Sequence, residues 1–309
     1  MKKQTIAFWA TVFFFFGIAL FSCKKNESDL EQQVEHARDL NEFEAEMSEL
    51  VQVLDLAASK SGLRGGREES FAVCGASIDS LSVPGTIILN FDGTTPCVNG
   101  TRKRSGQIKL KLSGGRLWLN AGAELRIEFV NYKITWLASG RSQIFNGIKT
   151  VKNVSGGSIS VALEGVTFPV RIIHEISGKV NVTFDGGRTA EWNFARRRET
   201  NVLARGNVEV SLTGIGAASG RNNLAAWGKN RFGGDFFTVV QTAVAAKSSC
   251  GWHKPTGGVI LHDGQFRDVT VTLGTDASGN PAGGCPTHFK VSWQGVGGAT
   301  RTRIIAYAN

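Results

Sequence analysis

The chain has 309 residues and a formal net charge of +9, but the charge is unevenly placed. The start carries +2, residues 24 to 70 hold 6 Lys/Arg against 12 Asp/Glu, and the remainder holds 27 basic against 14 acidic residues, a net of +13. So few acids leave little for the paired-carboxylate chemistry of glycoside hydrolysis, while the positive excess attracts anions and speeds their encounter.

Met1-Lys2-Lys3 precedes an apolar run from Ile6 to Phe21, which ends in Leu20-Phe21-Ser22-Cys23. A basic start, a short apolar stretch and a small residue before the cut are the three parts of a secretory signal. The run is shorter than the roughly 20 residues a membrane-spanning helix needs. Leu-x-Ser-Cys matches the lipobox, so residues 1–22 are expected to be removed and Cys23 to carry the lipid. One acyl chain anchors marginally and two anchor stably, so palmitate-type modification of Cys23 implies a lasting membrane attachment. The patch Lys24-Lys25-Asn26-Glu27-Ser28-Asp29 resembles the charged segment after the acylated cysteine in surface-exported lipoproteins of the Bacteroidetes type. The expected address is the outer membrane, on the periplasmic or the outward side, with the cell surface favoured.

Residues 23–70 follow as an acidic linker without proline. Apolar residues recur at Leu30, Val34, Ala37, Leu40, Phe43, Met47, Leu50 and Leu54, in steps of three and four. That spacing predicts an amphipathic helix with an acidic opposite face. It reads as a tether that rests on the following domain, a coiled-coil strand being the alternative. Ser61 to Arg67, rich in glycine, reads as a hinge.

From about Phe71 to residue 309 the period changes to two. Gln107–Leu112, Glu124–Val130, Asn207–Leu212 and Asp268–Leu273 each alternate polar and apolar residues, as half-buried strands do. Asp92-Gly93, Ser113-Gly114-Gly115, Ser155-Gly156-Gly157, Asp185-Gly186-Gly187 and Asp263-Gly264 separate them as turn signals. Roughly a dozen strands fit, with no room for βαβ crossovers. The expected fold is therefore all-β, an antiparallel meander or sandwich. Phe91-Asp92-Gly93 and Phe184-Asp185-Gly186, each followed by a basic run, read as two hairpins built alike.

Basic residues cluster at Arg102-Lys103-Arg104, Lys109/Lys111, Arg196-Arg197-Arg198 and Arg301/Arg303, and are expected on the polar face of the strands. Outside the cytoplasm such a face meets lipopolysaccharide phosphates, acidic polysaccharides and released nucleic acid; no specific nucleic-acid recognition is expected. Flat tryptophan faces stack on sugar rings. Trp192 and Trp293 share faces with apolar neighbours and read as core, whereas Trp118, Trp227 and Trp252 lie near glycine-rich turns and are candidates for a binding surface.

With Cys23 acylated, Cys74, Cys97, Cys250 and Cys285 remain, an even number in an oxidising compartment. Of three possible pairings, chain order favours Cys74–Cys97 and Cys250–Cys285. Cys250-Gly251-Trp252-His253 and Cys285-Pro286-Thr287-His288 offer a competing Cys₂His₂ zinc set. Asp276 to Asn280 faintly suggests a calcium loop but lacks its full spacing, and turn chemistry accounts for it better. No nucleophile elbow, zincin or phosphate-loop motif is present, so no catalytic residue or cofactor is assigned.

Leu89-Asn90-Phe91-Asp92-Gly93 with Cys97, then Thr101-Arg102-Lys103-Arg104-Ser105-Gly106-Gln107-Ile108, then Phe129-Val130-Asn131-Tyr132, together resemble a group of uncharacterised Bacteroidetes-type lipoproteins. The likeness continues near Gly187–Arg198 and Cys285, although Gly283-Gly284 stands where these relatives often have Asp-Gly. It implies an exported all-β architecture and no assigned activity. The function expected is a non-catalytic, lipid-anchored module for binding or adhesion, with Arg102, Lys103, Arg104, Arg196, Arg197, Arg198, Trp118 and Trp227 as ligand-binding residues. The alternative is a structural envelope component that pairs with a protein partner; third comes an enzyme acting on polysaccharide.

Overall fold

The computed structural model describes residues 31–47 except 33, 41, 44 and 45, and residues 73–307 apart from short stretches at 98–99, 114–116, 160–161, 163–166, 252–253, 265–267 and 296–297. Cys23, the signal, the hinge and Trp252 lie outside the described residues.

The described residues between 31 and 47 are helical and form helix α1. Fifteen strands follow: β1 (Ala76–Asp79), β2 (Thr86–Asp92), β3 (Arg102–Ser113), β4 (Ala123–Trp136), β5 (Ser142–Asn153), β6 (Val170–Phe184), β7 (Thr189–Ala204), β8 (Asn207–Gly214), β9 (Gly216–Ala218), β10 (Arg221–Lys229), β11 (Asp235–Lys247), β12 (Gly257–Gly264), β13 (Val269–Thr275), β14 (His288–Gln294) and β15 (Thr300–Ala306). The protein is all-β, and all fifteen strands belong to one antiparallel sheet in which almost every strand pairs with the next in sequence. The four alternating segments identified from sequence lie in β3, β4, β8 and β13.

The departure from a simple meander is instructive. Strand β7 pairs with β8 through Arg196–Ala204 and with β10 through Glu191–Phe194. Strand β11 is divided the same way between β10 and β8. Strands β8 and β10 thus lie end to end as one interrupted strand, and β9 with its turn is a hairpin excursion from it. Gly216 anchors that excursion, because the Trp227 ring occupies the space a Cβ there would need.

The inner face of the sheet is built by parity. Ile87, Leu89 and Phe91 of β2, Ile108 and Leu110 of β3, Leu125, Ile127 and Phe129 of β4, and Ala190, Trp192 and Phe194 of β7 are all buried at alternate positions. Helix α1 lies against this face. Leu40, Phe43 and Met47 join the main core, and the Phe43 ring packs on Phe145, Trp192 and Phe194 at centroid distances of 5.1, 5.3 and 5.2 Å. Burying one such ring contributes about 1.5–3 kcal/mol. Two smaller clusters lie under β12–β15 and around Ile159, Ala162 and Ile172.

The sheet curls around α1, since both of its arms reach the helix. Arg102 and Arg104 of β3 bind Glu46. On the other arm Phe289 of β14 and Ile305 of β15 line a groove of about 530 Å³ together with Val34 and Glu35. Leu40, Phe43 and Met47, which lie within the expected tether, are therefore interior to the folded unit. Among the described residues no helix is long and apolar enough to cross a membrane.

Candidate ligand-binding face

The same parity decides where the basic residues go. Arg102 and Arg104 alternate in step with Ile108 and Leu110, and Arg196 and Arg198 in step with Trp192 and Phe194, so all four enter the inner face. Their exposures are 8%, 3%, 6% and 3%. This corrects the expectation that the runs project into solvent: two residues of each triplet point inward, and only Lys103 and Arg197 belong to the outer face. Lys149 of β5 is buried on the inner side as well, a cation that sequence clustering had not singled out.

The inward arginines of β3 meet helix acids. Glu46 accepts from Arg102 Nη1 at 2.8 Å, from Arg104 Nε at 2.8 Å and from the Tyr132 hydroxyl at 2.6 Å. About two turns earlier, Asp39 accepts from Arg231 Nε at 2.7 Å and from Arg141 Nη2 at 2.8 Å. Glu35 and Glu42 add to the Arg141 cluster. Burial alone would raise the Glu46 carboxyl, but Arg104, Arg102 and Tyr132 override it and hold it below the ordinary range. Burial wins at Asp39, pushing its carboxyl up to about 7 against the pull of Arg231 and Arg141. Beside it His36 packs on Phe236 at 4.2 Å and lies 6.2 Å from His262. Burial, then His262 and Arg231, holds His36 well below the usual imidazole range, and burial takes His262 down to about 4. The latch between helix and sheet is thus ionic as well as apolar.

Trp118, a candidate for the surface, is buried and stacks on His174 at 5.3 Å. The turn beside it folds inward because Asn153 Nδ2 donates to the Trp118 carbonyl and to the Gly157 carbonyl, both at 2.8 Å. Trp227 is half-buried on the outer face, under the β9 excursion. Trp192 and Trp293 are core, as their neighbours imply. Arg301 and Arg303 are exposed on β15, registered with Trp293 and Val291 and so on the inner side at the sheet's open end.

Cys74 is bonded to Cys97 and Cys250 to Cys285, with Cα separations of 5.9 and 5.0 Å. The second bond removes the zinc alternative, because both of its thiolates are spent. Asp276 accepts from the backbone N–H groups of Ser278 and Asn280, which is turn chemistry. The two look-alike hairpins differ in detail: Asp92 caps its own turn through Thr94 and Thr95, while Asp185 reaches across to Ser142.

What remains on the outer face is a polar surface with two unlike halves. On β6 and β7 each cation has a carboxylate: Arg171 with Glu199, Lys179 with Glu191, Arg197 with Glu175. On β2–β5 the pattern breaks. Lys111 and Arg126 stand directly opposite one another, flanked by Thr86 and Thr150 in the same row. Like charges directly opposite destabilise a pair of strands, and no ion pair joins either cation to a described residue. With Lys109 and Glu128 these two cations line a groove of about 240 Å³ floored by Val83 and Ile88.

Comparison with known proteins finds no matching family model, no matching curated protein and no matching solved structure.

Proposed function

We propose that the chain is a lipid-anchored envelope protein, attached through Cys23, that binds an anionic glycan or lipopolysaccharide on the outer face of β2–β5 without catalysing a reaction on it. The observation that carries the reading is the uncompensated row Thr86–Lys111–Arg126–Thr150. Two cations side by side cost the free sheet stability, and an anion between them, held also by two hydroxyls, reverses the sign. The two disulfides fit an exported protein. The reading keeps the basic surface expected from composition but moves it from the inward arginines to Lys103, Lys109, Lys111, Arg126 and Lys133.

The test uses the chain from Lys24 onward, which contains every described residue. Immobilised lipopolysaccharide and acidic polysaccharides should retain it at low salt and release it at moderate salt. Lys111→Ala with Arg126→Ala should weaken retention about tenfold. Silence toward all of these polymers at low salt defeats the proposal.

A second reading, a structural role in an envelope assembly, is favoured by one feature. Among the described residues strand β15 pairs with β14 alone, leaving one edge open for seven residues, and an open edge is a template for a partner strand. Co-purification with a defined protein, lost when β15 is interrupted by proline, supports that role.

A further inference from the structure

Four rows cross the outer face of β2–β6, and one of them is rich in amides. Asn90 of β2 pairs with Gln107 of β3, whose partner on β4 is Val130; Asn131 follows it at the β4 bulge, and Asn146 of β5 pairs with Asn181 of β6. Asparagine is depleted from strands because it neither packs on the pleat nor favours the extended backbone. Four paired amides in one row, with a fifth at the bulge beside it, are therefore not something the fold asks for. The row is also incompletely used by the protein. Gln107 Nε2 donates to Asn90 Oδ1 at 2.7 Å, and Asn146 Oδ1 accepts the backbone N–H of Asn131 at 2.8 Å. The Asn146 amide nitrogen and both ends of Asn181 have no hydrogen bond to a described residue, and Asn181 is exposed.

We infer that this amide row is a track for a linear acidic polysaccharide lying across the strands; the inference rests on the outer-face reading above and specifies its ligand. Each amide offers donors and an acceptor, the pairing that sugar hydroxyls require, and from Asn90 to Asn181 the row spans about 19 Å at the interstrand spacing of a sheet. Lys109 lies one row to one side and Lys133 one row to the other, each two residues along its strand. Lys133, opposite Ser105, is placed to meet carboxylates projecting from a chain on the track, while Lys109 stands opposite Glu128. The β4 bulge serves the same end: Asn131 takes φ +49° and turns outward, while Gly106 opposite has no Cβ to obstruct it. A polymer bearing charge but no hydroxyl groups can accept from the amide N–H groups but offers nothing to the amide carbonyls, which separates this inference from general attraction to anions.

The experiment compares polygalacturonate with polyphosphate for the chain from Lys24 onward, by calorimetry at low salt. Asn181→Ala should weaken polygalacturonate binding about tenfold and polyphosphate binding clearly less. Asn146→Asp, which keeps the acceptor for Asn131, replaces an amide donor with a repelling charge and should weaken binding of both polymers. Lys111→Ala with Arg126→Ala should weaken both. Wild-type binding that neither amide variant alters, or that Asn181→Ala alters equally for the two polymers, overturns the track while leaving the anion-binding reading intact. Wild-type failure to bind either polymer overturns both.

Discussion

Glu46 is the residue on which the attachment of helix to sheet can be measured. Its carboxylate is buried and accepts from two guanidinium groups and a phenol, on β3 and β4, while its helix contributes Leu40, Phe43 and Met47 to the core. Glu46→Gln preserves shape and removes the charge. Breaking one partner of a buried ion pair costs about 3–5 kcal/mol, a large part of the ~5–15 kcal/mol that holds a typical domain together. At about 2–4 °C per kcal/mol for a domain of this size, the melting temperature should fall by about 10 °C. Glu31→Gln is the control, since Glu31 is exposed on the same helix and surface changes of this kind stay within about 0.5 kcal/mol. Urea unfolding followed by tryptophan fluorescence reads the change, with Trp192 reporting from beside Phe43. The sign with pH is also fixed: Glu46 has a lowered carboxyl, so its contribution is present above the ordinary Glu range and is lost as pH falls through the lowered value. A Glu46→Gln chain within about 0.5 kcal/mol of wild type at neutral pH would refute the claim that the latch is ionic.

Three further outcomes are expected. His262 is held at about 4 by burial, so its contribution is complete above the ordinary imidazole value and is lost as pH falls toward 4. At about 1.4 kcal/mol per pH unit, the difference between wild type and His262→Gln should narrow by about 2–3 kcal/mol between pH 7.5 and 4.5, the opposite trend from Asp39 cancelling in the comparison. Gly106→Ala drives a Cβ into the Asn131 carbonyl at a φ of +85°, and should destabilise by more than about 1 kcal/mol in a thermal melt. Removing either disulfide as a Ser/Ser pair releases a separation of 23 or 35 residues, for a loss of about 3–4 kcal/mol in the chain-entropy account; an unchanged urea midpoint would show that the bond braces nothing.

The architecture was legible because it rests on local signals. Period-two alternation and glycine turns identify strands one at a time, and a meander asks only that each pair with its neighbour, so little topology remains to be guessed. The excursion at β9 was not legible, since nothing in Gly216–Ala218 announces that a strand will resume ten residues later in the same line. The helix was legible as a helix that rests on the domain, but the depth to which its acids are buried was not. Its apolar stripe was read as one face and its acids as the other, yet Asp39 is next to Leu40 and Glu46 next to Met47, so these acids border the stripe and are carried into the core with it. A basic domain awaiting an acidic helix is complementary in charge, and that complementarity was visible in the +13 and −6 of the two segments.

The arginine triplets show why a charge cluster is a poor guide to a surface when it lies in a strand. A run of three cations cannot all face solvent on an extended backbone, because successive side chains point to opposite faces. The signal that resolves them is parity with the nearest apolar residues: Arg196 and Arg198 continue the series Ala190, Trp192, Phe194, and Arg102 and Arg104 the series Ile108, Leu110. Applied to the whole sheet, the same rule sorts the cations into two populations. Inward ones include partners for the helix acids, and outward ones on β6 and β7 have carboxylates opposite them. Lys111 and Arg126 fall into neither class. They are outward, adjacent and without an ion pair to a described residue, which is why the proposed ligand site lies on β2–β5 and away from the most basic stretches of the sequence.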